Sequence, residues 1–158
     1  MQSEFSIINK TSTRIPSLPF LAVKNDILGR TYNLSIAFVD EKTSHKINKT
    51  YRKKDKGTNI LSFVLSPQKG EIVLCPSIIK NEAKDKNKNY SKNYRELLLF
   101  LVIHGMLHLK GMKHGSIMEK KEKFYYKKYD QKHFDRNRYR LKHDESHSGR
   151  IRKGRKKS

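Results

Sequence analysis

Acidic side chains are scarce in this chain. Its 158 residues carry 15 Asp and Glu against 36 Lys and Arg, a formal net charge of +21 at pH 7 with histidine neutral. Such a balance argues against a cationic partner and makes an acidic polymer the expected one. Cysteine occurs once, at Cys75, so no internal disulfide can form, which is compatible with a reducing compartment. Cys75 follows the apolar run Ile72-Val73-Leu74 and reads as a buried strand-end residue rather than a nucleophile. Long hydrophobic runs are also missing. The most apolar stretch, Leu97 to Leu109, is too short to span a bilayer. The start, Met1 to Phe5, lacks the basic region and apolar run of a secretory signal. These absences lead to the expectation of a cytoplasmic protein with no membrane partner. Nucleic acid is preferred over a lipid surface because no lipid-inserting amphipathic helix accompanies the charge.

The charge is spread unevenly. Residues 131–158 hold 11 Lys and Arg and 3 Asp and Glu, a net +8, which leaves +13 on residues 1–130. The last nine residues, Arg150 to Ser158, contain no periodic apolar positions and read as a disordered phosphate-binding tail. The length suits one domain with a modest core. The expected organisation is therefore a folded domain over 1–130 followed by a basic tail over 131–158. No internal repeat and no long linker divides the first part.

Alternating and periodic apolar positions place the elements. Strands are expected at Glu4–Asn9, at an edge, and at Asn33–Val39. Two more, Asn59–Leu65 and Glu71–Leu74, are expected as a hairpin turning through Pro67 and Gly70. Helices are expected at Leu18–Leu28, at Lys42–Tyr51 with Ile47 inward, at Ser77–Lys86, and at Met118–Tyr129 anchored by Phe124 and Tyr125. Asn87–Asn93 reads as a polar loop. Asn93 and Glu96 form a capping-box pattern that opens a further helix. Its run Leu97-Leu98-Leu99-Phe100-Leu101-Val102-Ile103 is apolar all round, as in a buried central helix. The fold class expected is α+β: a small mixed sheet of about four strands with helices around it.

The chemistry is concentrated at the end of that helix. His104, His108 and His114 stand in the pattern H-x3-H-x2-G-x2-H. The first two lie one turn apart on one helix face, the face of Leu97, Phe100 and Leu101. Were the helix to continue, His114 would project about 240° around the axis from His108. The helix must end first, and Gly111 is where it should end, because glycine adopts the left-handed conformation at no side-chain cost. Three imidazoles with a fourth position open describe a catalytic Zn2+ site, one ion per chain, better than a closed structural site. Metzincin proteases share this spacing but place a Glu after the first histidine as general base. Here that position is Gly105, which disfavours peptide hydrolysis by their mechanism.

The run His104-Gly105-Met106-Leu107-His108-Leu109-Lys110-Gly111-Met112-Lys113-His114 resembles the signature H-G-x-L-H-L-x-G-x-x-H of the YbeY family of metal-dependent rRNA-maturation endoribonucleases. Asn48 to Phe63 resembles that family's N-x-x-Y-R-x-K-D-x-P-T-D-V-L-S-F, and Gly70-Glu71-Ile72 its G-D-I. The resemblance covers roughly residues 3 to 130. Departures are Gly57 for a proline, Asn59 for an aspartate, and Lys113 for the aspartate beside the third ligand; the ligands themselves are kept. The resemblance implies a zincin-like fold and a single-strand-specific endoribonuclease. It further implies a role in maturing the 3′ end of small-subunit rRNA and in ribosome quality control, with rRNA and the small subunit as partners. It places Arg52 on the scissile phosphate, a task for which a guanidinium fork is suited. Lys53 and Lys54 beside it are expected to bind RNA.

No general base follows from the motif; Glu71 and Asp55 qualify only by chemistry. Tyr51, Phe63 and Tyr90 are available for stacking on unpaired bases. Two other classes fit part of the pattern. One is a zinc hydrolase of another substrate, a peptidase with its base elsewhere in the fold. The other is a non-catalytic RNA- or ribosome-binding module in which metal only stabilises the fold.

Overall fold

A computed structural model describes residues 3–85, 87 and 92–130. The elements run β1 (Phe5–Asn9), α1 (Phe20–Ile27), β2 (Asn33–Phe38), α2 (Glu41–Arg52), β3 (Ile60–Ser66), β4 (Lys69–Leu74), α3 (Pro76–Lys84), α4 (Tyr94–Leu109) and α5 (Ser116–Tyr129). The four strands form one mixed sheet in the order β1-β2-β4-β3. β1, β2 and β4 are parallel, and β3 is antiparallel to β4. The α+β class and the four-strand mixed sheet agree with the sequence reading, as does the edge position of β1. The chain divides after Tyr126 into two units, and of the second only residues 127–130 are described. The expected basic tail, Tyr90 and much of the polar loop lie outside the described residues.

Side-chain alternation gives the sheet two different faces. Leu34, Ile36, Phe38, Ile60, Ile72 and Leu74 are all buried. Their register places them on one face. Phe20 of α1 meets Phe38 there, ring to ring at 6.3 Å. α4 packs on the same face: a Cβ on Gly105 would meet Ile60 Cδ1 at 2.8 Å, Ser62 Oγ at 3.0 Å and Ile72 Cδ1 at 3.3 Å. The opposite face holds Val39, Leu61 and Val73, with Ala37, Ile47 and Phe63 packed against them. α2 lies over this second face.

α4 is buried almost all round. Leu97, Leu98, Leu99, Leu101, Val102, Ile103, Met106, Leu107 and Leu109 are each at most 7% exposed. Burying one such side chain contributes about 1.5–3 kcal/mol, so α4 anchors the core. Its start is capped as expected: Asn93 Oδ1 accepts from the Glu96 N–H at 2.9 Å, and the Asn93 amide donates to Glu96 Oε1 at 3.3 Å.

Two local expectations need correction. Gly70 is not in the turn between β3 and β4, because β4 begins at Lys69. Tyr32 and Leu109 pack where its side chain would stand. Phe124 does not anchor α5: it is 59% exposed, and the buried stripe is Met118, Glu122 and Tyr125. Ile47 points inward as expected, half-buried against Val39, Leu61 and Val73, while the fully buried side chains of α2 are polar, Ser44 and Asn48.

Those two polar residues tie down the segment after α2. Ser44 Oγ donates to Thr58 O at 2.7 Å and accepts from the Thr58 N–H at 3.0 Å. The Asn48 side-chain amide donates to Lys56 O at 2.8 Å. Lys53 adopts a left-handed conformation, φ 59°, to turn the chain out of α2. A non-glycine residue enters that region at a cost, which the Ser44 and Asn48 bonds on either side help to offset.

Candidate metal centre

The end of α4 is built to bring three histidines together. His104 and His108 occupy its last two turns. After Leu109 the helix stops: the Gly111 N–H bonds His108 O at 2.9 Å and the Met112 N–H bonds Leu107 O at 3.0 Å. Gly111 has φ +99°. This is a Schellman closure with glycine in the left-handed position, at the residue the sequence pointed to. The reversal returns His114 to the other two. Ring centroids are 4.5 Å apart for His104 and His108, 5.1 Å for His104 and His114, and 4.6 Å for His108 and His114. One ligand nitrogen from each ring lies within 4.8 Å of the others. His104 and His108 are half-buried and His114 is exposed.

Hydrogen bonds determine which nitrogens are offered. Glu122 Oε1 lies 2.8 Å from His104 Nδ1, and a carboxylate can only accept, so Nδ1 donates. Met112 O lies 3.0 Å from His108 Nδ1, which must likewise donate. With one proton per ring, both Nε2 atoms then present lone pairs, and they face each other at 3.0 Å. Two lone pairs at that distance repel unless a cation lies between them. Nitrogens on a tetrahedral zinc at about 2.05 Å would sit roughly 3.3 Å apart. The donor set thus fits a metal ion, and the fit is to nitrogen donors of the kind zinc prefers. Burial and the neighbouring His104 hold the His108 imidazole below its usual range, which favours the neutral form a ligand needs.

Glu122 was not foreseen from the sequence. It is 8% exposed, on the buried stripe of α5. The available signal was a carboxylate at i+4 from Met118 and i−3 from Tyr125 in an otherwise lysine-rich helix. Phe100 also flanks the site, its ring stacked on His104 at 6.3 Å and 29°. Lys92 Nζ stands 5.4 Å from the Phe100 ring centre and 4.9 Å from that of Tyr126.

Gly105 explains the missing general base in spatial terms. It faces β3 and β4, not the histidines, and Ser62 Oγ donates to its carbonyl at 3.3 Å. A side chain there would press on Ile60, Ser62 and Ile72. Asp55 does not reach the cluster either. It pairs on the surface of α2 with His45 Nε2 at 2.6 Å and Lys49 Nζ at 3.7 Å. Those partners hold its carboxyl below the usual carboxylate range. Glu71 lines a groove with Ile47, Tyr51, Phe63, Leu65 and Val73, on the sheet face away from α4. Among the described residues the metal-type cluster contains the three histidines alone.

Arg52 is the last residue of α2 and is exposed, as are Lys53 and Lys54. Asp55 is engaged by His45 and Lys49 instead of Arg52. The guanidinium is therefore not tied up by the carboxylate three residues away.

The family model for Endoribonuclease YbeY matches residues 6–135. The chain belongs to the YbeY endoribonuclease family. A YbeY endoribonuclease from Staphylococcus aureus is 32% identical over 125 residues, covering 70% of this chain and 78% of that one. One from Cupriavidus necator is 37% identical over 94 residues, 56% of this chain. This chain spans 46% of the length of that relative. A solution structure of a Thermotoga maritima protein superposes with a TM-score of 0.56 at 25% identity, covering 78% of this chain and 87% of that one. Among the described residues no helix is long and apolar enough to cross a membrane.

Proposed function

We propose that this YbeY-family chain is a single-strand-specific, metal-dependent endoribonuclease of zincin-like architecture. Its expected setting is cytoplasmic rRNA maturation, including the 3′ end of small-subunit rRNA, and ribosome quality control. The observation that carries the reading is the convergence of His104, His108 and His114 with two of their tautomers set by Glu122 and Met112. The net charge of +21 supports RNA as the substrate. The packing of Gly105 against the sheet counts against a peptidase that uses the motif glutamate.

In this reading His104, His108 and His114 hold one Zn2+ through ring nitrogens. When bound, zinc supplies Lewis acidity toward a phosphate oxygen and lowers the pKa of a water toward about 7. Glu122 keeps the proton on His104 Nδ1 and so keeps Nε2 free. Arg52 clamps two oxygens of the scissile phosphate through its guanidinium fork. Lys53 and Lys54 hold the neighbouring phosphates. The half-buried rings of His104 and Phe100 exclude water from one side of the reacting group. Residues 131–158 act as a phosphate-binding arm.

The test offers the full chain a single-stranded rRNA fragment, the same fragment annealed to its complement, and an unstructured peptide. The proposal expects internal cleavage of the single strand alone. Peptide cleavage without RNA cleavage would replace the nuclease with a peptidase. Tight RNA binding with no turnover of any substrate would replace it with a binding module.

A further inference from the structure

One groove is not used by the metal centre. It lies on the sheet face covered by α2 and has a volume of about 270 Å³, lined by Ile47, Tyr51, Phe63, Leu65, Glu71 and Val73. Its walls are apolar and aromatic, yet the groove stays open. Tyr51 is 68% exposed and Leu65 55% exposed. The Tyr51 ring meets Phe63 edge-on at 5.2 Å and 65°, which leaves a face of the tyrosine open. Phe63 and Glu71 are paired across β3 and β4, so the carboxylate rises beside the ring pair. Among the described residues no donor bonds that carboxylate.

The chain that continues from Tyr51 is cationic. Arg52, Lys53 and Lys54 follow Tyr51 directly, Lys56 comes after Asp55, and all four are exposed. Asp55, the acid within this run, is already paired with His45 and Lys49, so it neutralises none of them. A π-face, a row of free cations and one half-buried acceptor make up the parts of a nucleotide subsite. The ring stacks a base, the cations take its flanking phosphates, and the carboxylate reads its edge.

We propose that this groove is a nucleobase subsite for an unpaired nucleotide of the RNA substrate, with guanine the preferred base. The proposal rests on the RNA-substrate reading above. Tyr51 is the stacking platform, and Glu71 determines the preference. A carboxylate accepts only, so it favours the base edge with the most donors. Guanine offers two adjacent donors, N1–H and N2–H, and can engage both oxygens. Uracil offers a single N–H between two carbonyls that repel the carboxylate. The order expected is guanine first and uracil last. Phe63 positions Tyr51 and does not itself receive the base.

The chain contains no tryptophan, so Tyr51→Trp makes the groove report on itself. Full-length Tyr51→Trp is titrated, in the presence of chelator so that no cleavage intervenes, with abasic pentanucleotides carrying one guanosine, one uridine or no base. The proposal expects fluorescence quenching by the guanosine oligomer at the lowest concentration. Its midpoint should lie roughly 5- to 150-fold below that of the uridine oligomer, the span of a bidentate base contact. Glu71→Gln, added to the reporter, should bring the two midpoints together. A second measurement does without the tryptophan: anisotropy of the same labelled oligomers on wild type and on Glu71→Gln should show the same preference and its disappearance. Equal midpoints for all three oligomers, or a guanosine preference that survives Glu71→Gln, would overturn the proposal. Its failure and that of the nuclease reading are separable. Cleavage by wild type without base-dependent quenching sinks the subsite alone, and base-dependent quenching without cleavage sinks the nuclease alone.

Discussion

Glu122 on α5 and His104 on α4 meet through a 2.8 Å hydrogen bond between Oε1 and Nδ1, across 18 residues of sequence. The bond makes α5 part of the candidate metal centre although it adds no residue to the histidine cluster. Removing such a partner of a metal-binding histidine typically costs 10- to 100-fold in metal affinity. Glu122→Gln is therefore expected to weaken zinc binding by roughly that factor while the fold persists. Competition titration against a chelating dye measures it. An unchanged affinity would show that His104 needs no such orientation.

Gly105 sets two effects against each other. Alanine is favoured over glycine inside a helix by about 0.8–1.0 kcal/mol. Here, however, the new Cβ would stand 2.8 Å from Ile60 Cδ1 and 3.0 Å from Ser62 Oγ. Overpacking of that kind costs about 1–3 kcal/mol, so the clash should win. Gly105→Ala is expected to lower the denaturant midpoint. A raised midpoint would mean that α4 has room to shift away from the sheet.

The state of His108 predicts a pH dependence. Burial lowers its folded pKa below the ordinary histidine value of 6.5. Between that lowered value and 6.5 the unfolded chain binds the proton more readily than the folded one. The stability contribution of this group is thus fully present above 6.5 and is lost as pH falls through that window. In metal-free protein, the His108 ring resonances in an NMR titration should show a midpoint below 6.5. A midpoint above it would mean that charge partners outweigh burial.

Much of this site was legible in the sequence, for identifiable reasons. The helix, its stop at Gly111 and the return of His114 follow from spacing and from the chemistry of one glycine, all within eleven residues. The capping of α4 by Asn93 is equally local. What was missed depends on contacts far apart in the chain. Gly105 reads as an absent catalytic glutamate until the approach of α4 to β3 and β4 shows that a side chain there would press on Ile60 and Ser62. Glu122 reads as one charge among lysines until α5 is docked. Gly70 looked like a turn residue because it follows Pro67, whereas its constraint comes from Tyr32 and Leu109. Phe124 and Tyr125 are adjacent aromatics, and only docking reveals which of them faces inward.

Arg52 is exposed and not paired with Asp55, so its substitution should leave the fold intact. A charged hydrogen bond to phosphate contributes about 1.5–3 kcal/mol. Arg52→Ala is expected to lower kcat/KM for single-stranded RNA by roughly 10- to 100-fold, with an unchanged melting temperature. Arg52→Lys should recover only part of that activity, since an ammonium cannot make the two-pronged contact. Full activity in Arg52→Ala would remove this residue from the mechanism.

If His104, His108 and His114 hold one metal ion, cleavage of RNA should depend on it. The deciding experiment follows cleavage of a single-stranded rRNA fragment by wild type and His108→Ala, each stripped with chelator and then given zinc, with metal content measured on the same samples. One zinc per wild-type chain is expected, with cleavage that disappears on chelation and returns with zinc, and neither metal nor cleavage in His108→Ala. Cleavage that survives both the chelator and the His108→Ala substitution would contradict it.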